Sequence, residues 1–99
     1  MKGNFNALVQ GSRPVIVDFH AVWCAPCKMQ TPILEQLASE LGDKIKVIKI
    51  DVDQNPEIAS RYGIQSVPTL MIFRNGGILH KQAGVHTKAQ IMEVLMRSL

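Results

Sequence analysis

Short apolar runs alternate with helical patterns along the first half of the chain. Residues 14–19 (PVIVDF) form a nearly continuous apolar run broken by one acid, which is typical of a strand buried on both faces. Residues 46–52 (KVIKIDV) predict a second strand. Apolar residues between them recur at helical spacing from about Cys24, and Gly42 ends the pattern, so these elements predict a βαβ unit. Pro32 falls inside this helix and is expected to kink it, because proline removes a backbone donor.

The second half of the chain predicts a further helix, a hairpin and a last helix. A helix is predicted to begin at Asn55-Pro56-Glu57 and to stop at Gly63. Two strands, over 69–73 and 78–82, flank the hairpin turn Asn75-Gly76. A capping box of Thr87 and Gln90 predicts the start of the last helix. A short helix is also expected before Gly11. Helices alternating with a mixed sheet predict one α/β layered domain over residues 1–99.

Composition narrows the class of protein. The 99 residues are 46% hydrophobic, enough for one core, and the net charge of +3 comes from scattered basic residues. Nucleic-acid binders concentrate basic charge on one face, so nucleic-acid binding is not expected. No run approaches the roughly 20 apolar residues of a membrane span. Residues 1–6 lack the apolar run of a secretory signal, so we expect a cytoplasmic protein.

The only two cysteines, Cys24 and Cys27, predict redox chemistry at a strand-to-helix turn. Residues three apart on a strand lie about 10 Å apart, whereas a disulfide needs Cα atoms within about 7 Å. The pair can therefore bridge only where the chain turns into the helix. A helix N-terminus favours a thiolate by roughly 1 kcal/mol, which lowers the thiol pKa. Cys24 is expected to be the nucleophile, and Cys27 to be more buried and to resolve the mixed disulfide.

Asp18 interrupts the first apolar strand and is expected to be buried. Burial disfavours the charged carboxylate, so its pKa should rise and the group could move protons near neutral pH. Lys49, on the neighbouring strand, is the expected partner. A solvated loop acid paired with a surface lysine is the alternative interpretation.

The residues around the cysteines resemble the thioredoxin active site. The matching segment is Trp23-Cys24-Ala25-Pro26-Cys27-Lys28 after the strand that carries Asp18, and the likeness continues through 50–53 (IDVD), Tyr62-Gly63-Ile64, Val67-Pro68-Thr69, 73–76 (FRNG) and Gly84. This likeness covers nearly the whole chain from Pro14 onward. It implies a thioredoxin-like α/β fold with a central mixed sheet of about four strands flanked by helices.

The resemblance also implies roles for individual residues. Cys24 would attack a substrate disulfide, and Cys27 would release the reduced product. Asp18 would accept or deliver the proton of Cys27, and Lys49 would lie beside Asp18. Pro68 would follow a cis peptide bond, and the Val67 backbone would bind an extended substrate segment. The predicted substrate-binding residues, called the docking surface below, are Trp23, Ala25, Pro26, Val67, Pro68 and Gly84.

The implied activity is reduction of disulfides in substrate proteins by a monomer. No cofactor would be bound beyond the redox-active Cys24–Cys27 disulfide, and no metal. An NADPH-dependent flavin reductase of the thioredoxin-reductase type would restore the dithiol.

Some residues depart from the usual thioredoxin pattern. Ala25 replaces a glycine. Pro26 is retained, and a central proline without a histidine is more similar to reducing than to oxidising members of the family. His20 replaces a tryptophan, and it either ends the strand in solvent or alters the neighbouring thiols by its charge. The usual first strand is not evident, so residues 46–52 are expected to form an exposed edge, through which dimerisation remains possible; a truncated chain is the alternative.

Three other functions stay open from the sequence. The protein could be a disulfide isomerase or oxidant, or a binding module without turnover. A zinc site could also use Cys24 and Cys27 with His20 and either His80 or His86, although structural zinc usually needs four converging ligands.

Overall fold

The computed structural model describes residues 4–98, in which helices and strands alternate in the predicted order. The helices are α1 (Phe5–Leu8), α2 (Ala25–Leu41), α3 (Pro56–Arg61) and α4 (Lys88–Arg97), and the strands are β1 (Val15–His20), β2 (Lys46–Asp51), β3 (Thr69–Arg74) and β4 (Gly77–Ala83). A 3₁₀ turn over Gly42–Lys44 leads from α2 towards β2.

The strands of the described chain form one mixed sheet in the order β2-β1-β3-β4. β1 runs parallel to β2, with Asp18 opposite Lys49, and antiparallel to β3, with Asp18 opposite Leu70. β3 and β4 form the antiparallel hairpin around Asn75 and Gly76, both at positive φ. The mixed four-stranded sheet and the edge position of β2 are therefore as predicted.

Strand β1 lies at the centre of the molecule, and its first five residues are buried. Alternation along the strand sends Ile16 to one face of the sheet and Val17 and Phe19 to the other. Ile16 packs in a cluster with residues of α2 and α4, while Val17 and Phe19 pack with Phe5 of α1 and are flanked by α3. Each such side chain contributes about 1.5–3 kcal/mol by leaving water.

The long helix α2 has the predicted ends. Cys24 is its N-cap, Pro26 lies in its first turn, and Gly42 after its last residue has a φ of 51°. A left-handed backbone of this kind favours glycine, which explains why the helix ends there. Pro32 lies inside α2 without ending it; the kink expected there stays a prediction.

Of the N-termini of α3 and α4, only that of α4 is capped by a side chain. Thr87 and Gln90 form the predicted capping box at α4, because each side chain accepts a hydrogen bond from the other residue's backbone N–H. Asn55 holds the N-cap position of α3, but its side chain makes no capping bond. Its amide donates instead to the Asp51 carbonyl at 3.0 Å.

Within residues 4–98, no helix is both long enough and apolar enough to cross a bilayer.

Candidate functional site

Cys24 and Cys27 lie where the chain passes from β1 into α2, as the sequence predicts. They are joined by a disulfide, and their Cα atoms are 5.3 Å apart. Cys24 has extended backbone angles and Cys27 lies within the first helical turn, so the turn supplies the bridging geometry. The turn between β1 and α2 therefore holds the two sulfur atoms together and also begins the helix.

The cysteines are equally enclosed. Cys24 is 3% exposed and Cys27 4%, so the prediction that Cys27 is the more buried residue is wrong. The reason is that Cys24 packs with Ala21, and Val52 and Val67 lie against this cluster. The Cys27 backbone N–H donates to Cys24 Sγ at 3.1 Å. This donor and the helix dipole would both stabilise negative charge on that sulfur.

Asp18 is fully buried, as expected, and is not a solvated loop acid. Neither of its carboxylate oxygens has a hydrogen-bond partner within the described part of the chain. Desolvation by burial raises the pKa of Asp18, while the charges of Lys49 and His20 oppose the rise. Alternation along β1 places this carboxyl on the Ile16 face, which is the face covered by α2.

Lys49 lies opposite Asp18 in the parallel register, but its ammonium group bonds elsewhere. It is exposed and donates to Thr31 Oγ1 at 2.6 Å, and Thr31 in turn donates to the Cys27 carbonyl at 3.4 Å. No ion pair joins Lys49 to Asp18 among residues 4–98. The expected pairing is therefore corrected: Lys49 acts on Asp18 as a nearby charge and not as a bonded partner.

Three residues of the docking surface come together beside the disulfide. The Val67–Pro68 peptide bond is cis, as the resemblance implies. Val67 packs against the cluster of Cys24 and Cys27. The Gly84 N–H donates to the Pro68 carbonyl at 2.8 Å, so the loop after β4 is tied to the cis-proline loop.

The other docking residues are open to solvent. Trp23 is 69% exposed, and its indole N–H donates to Asp53 Oδ2 at 2.8 Å. Ala25 and Pro26 are also exposed. A shallow depression runs from Trp23 to Val67, so an apolar surface borders the disulfide.

Sequence reasoning missed one buried polar contact behind the site. Gln30, on α2 one turn past Cys27, is fully buried and holds both backbone polar groups of His86. Its amide donates to the His86 carbonyl at 3.1 Å, and its oxygen accepts from the His86 N–H at 2.7 Å. The available signal was its spacing, because Gln30 falls four residues before Leu34 on the buried face of α2.

The candidate zinc ligands do not converge. His80 and His86 contact each other, while Cys24 and Cys27 are joined in the disulfide. His20 is the last residue of β1, and its charge acts on the pKa of Asp18. No group of three or more potential ligands is arranged to hold a metal within residues 4–98.

Comparison with known proteins agrees with this geometry. The Thioredoxin family model matches residues 1–97. A thioredoxin-like protein of Synechocystis sp. is 50% identical over 93% of this chain and 89% of its own length. The thioredoxins of Rickettsia bellii and Bacillus subtilis are 46% and 45% identical, over 87% and 86% of this chain and 82% of each relative.

A solved structure, described as that of a malarial protein, supports the fold. Its TM-score is 0.83 at 24% identity, over 88% of this chain and 98% of that one. Together with the Cys24–Cys27 disulfide at the start of α2, these matches establish that the chain belongs to the thioredoxin family and is a protein dithiol–disulfide oxidoreductase.

Proposed function

We propose that Cys24 is the attacking thiol of this reductase and that Cys27 resolves the intermediate. The observation that carries this assignment is the contact of Cys24 Sγ with the Cys27 N–H at the start of α2. A donor and a helix dipole at one sulfur favour the thiolate there, and the thiolate is the reactive form of cysteine.

The exchange proceeds in two balanced steps. Cys24 thiolate attacks one sulfur of a substrate disulfide, so a Cys24–substrate bond forms and the other substrate sulfur leaves as a thiolate. Cys27 then loses its proton and attacks Cys24, which releases the second substrate sulfur. The substrate gains two electrons, and this chain ends as the Cys24–Cys27 disulfide.

Asp18 accepts the Cys27 proton in the second step. Its burial and its position on the α2 face support this role, because a carboxylate without hydrogen-bond partners has a high affinity for a proton. Lys49 and His20 limit that affinity through their charges. The carboxyl can therefore take up a proton and return it.

The docking surface binds an extended segment of the substrate protein beside its disulfide. The exposed apolar area from Trp23 to Val67 supports this role, as does the loop of Pro68 and Gly84 next to the cysteines. Oxidised protein must then receive two electrons. We infer a cytoplasmic cycle in which the monomer is recharged by an NADPH-dependent flavin reductase.

Cys27→Ser is expected to trap substrate proteins. Without the resolving thiol, Cys24 can still attack, but the mixed disulfide is not released. Incubation with protein disulfides should yield covalent adducts on Cys24, seen by non-reducing electrophoresis and mass spectrometry.

The matched control is Cys24→Ser, which keeps a single thiol at the other position. It should yield few adducts. Equal trapping by the two variants would contradict the assignment of Cys24 as the attacking residue.

The reduction potential of the Cys24–Cys27 pair distinguishes a reductase from an isomerase or oxidant. Thioredoxins have potentials near −270 mV and protein disulfide isomerase has one near −180 mV, and we expect this protein nearer the former. Equilibration with glutathione buffers gives the value. A potential above about −200 mV would place the protein among the oxidants.

A further inference from the structure

Two histidine rings meet behind the docking surface. His80 belongs to β4 and His86 to the segment between β4 and α4, and their Nε2 atoms are 2.9 Å apart. The rings are nearly perpendicular, at 85°. The pair takes no part in the reaction described above.

His86 is fixed at every polar atom. Gln30 holds its backbone N–H and carbonyl, as described above, and the ring is buried with the residue only 5% exposed. Its Nδ1 lies 2.9 Å from the Gly84 carbonyl. A carbonyl can only accept, so Nδ1 of His86 carries a proton and donates it.

The proton on Nδ1 of His86 determines which nitrogen of the pair donates and which accepts in each protonation state. When His86 is neutral its Nε2 is an acceptor, so His80 donates to it from its own Nε2. Protonating either ring once leaves a donor facing an acceptor. Protonating both rings places two N–H groups against each other at 2.9 Å, and the contact is lost.

We propose that His80 and His86 are positioning residues that hold the Gly84 end of the docking surface, and that the doubly protonated pair loosens it. The repulsion separates the two rings, and the His86 ring, held until then at both nitrogen atoms, keeps only its contact with the Gly84 carbonyl. Gly84 is then held by a ring that is itself fixed at one nitrogen instead of two. Gly84 also donates to the Pro68 carbonyl, so the change reaches the cis-proline loop.

The surrounding charges set the direction of the pH dependence. Within the described residues, Glu93 and Arg97 of α4 are the charged groups that line the cavity beside the rings, and these two are paired with each other at 4.0 Å. Burial lowers the pKa of His80, and the charges of His86 and Arg97 lower it further. The folded protein therefore binds this proton less readily than the unfolded chain. The contribution of His80 to the free energy of unfolding is therefore complete above the ordinary histidine pKa, and it is lost as the pH falls below that value.

The test compares two disulfides from about pH 8 to about pH 5, the range in which histidine titrates. One is a disulfide-containing peptide without ionisable side chains, which uses the docking surface. The other is hydroxyethyl disulfide, which is too small to use it. The ratio of their reaction rates with the reduced protein cancels the thiolate content of Cys24 and isolates docking.

The ratio should fall about five-fold in the wild-type protein at the acidic end, the factor expected for one lost hydrogen bond. His80→Gln should keep the ratio constant, because an amide can donate to a neutral His86 or accept from a charged one. His86→Asn should also keep it constant, since its amide nitrogen can replace Nδ1 at Gly84. His86→Leu should lower the ratio about five-fold at every pH.

His20→Gln is the matched control, because it removes the third histidine of the chain and should retain the acidic fall. The inference rests on the proposed docking surface. Loss of reaction with both disulfides would count against the proposed function. Normal reaction with both, with the same pH profile in wild type and His80→Gln, would overturn the histidine proposal alone.

Discussion

Replacing Cys24 with serine is expected to lower the rate of disulfide reduction by about 1,000-fold or more, since this removes the attacking atom. A serine hydroxyl is far less acidic than a thiol, and neither the helix dipole nor the Cys27 N–H can compensate for that difference. The measurement is reduction of a protein disulfide with dithiothreitol as the electron donor.

Two comparisons make this result specific. Thermal unfolding of wild type and variant, both in reducing buffer, should give similar midpoints, because the wild-type disulfide is then open as well. Cys27→Ser should retain the initial rate of attack while losing turnover. If Cys24→Ser kept that initial rate and Cys27→Ser lost it, the two roles would be reversed.

Asp18→Asn is expected to stabilise the protein near neutral pH by about 1 kcal/mol or more, because a neutral amide avoids the extra cost of burying a charge that has no hydrogen-bond partner. Because the pKa of Asp18 is raised in the fold, the folded state binds this proton more readily than the unfolded chain. The wild type is therefore penalised as the pH rises through the folded pKa. Denaturant unfolding at several pH values should show the difference between the proteins shrinking towards acid pH and vanishing below the ordinary aspartate pKa.

The same variant is expected to turn over about ten-fold more slowly at neutral pH, because Cys27 loses its proton acceptor. This effect lies below the usual range for acid–base catalysis, since water can replace the carboxylate in part. Asp43→Asn is the matched control: Asp43 is exposed near the opposite end of α2 and should change neither property. A parallel dependence of stability on pH in wild type and Asp18→Asn would show that Asp18 titrates alike in the folded and unfolded chains.

The architecture could be predicted because its signals are local. The apolar run of β1, the periodic apolar face of α2 and the Asn75-Gly76 turn each depend on residues a few positions apart. The bridging geometry of Cys24 and Cys27 followed from the same local reasoning. The cis bond before Pro68 did not, because sequence alone favours trans and only the family resemblance reversed that expectation.

The contacts that were missed join distant parts of the chain. Gln30 and His86 are 56 positions apart, and no local pattern links them. Lys49 and Asp18 are neighbours across two strands, which predicts a pair, yet Thr31 on α2 takes the hydrogen bond of the Lys49 ammonium group. The equal burial of the two cysteines depends on Val52 and Val67, which come from segments distant in sequence, as well as on the neighbouring Ala21.

Strand β1 joins the reactive turn to the part of the domain that should open last. It has a strand on either side, both of its faces are covered, and it leads directly into the turn with Cys24. Segments of this kind exchange their amide protons only when the whole molecule unfolds. The disulfide beside the docking surface can therefore be broken and remade repeatedly while β1 stays rigid, and catalytic competence lasts until the domain itself unfolds.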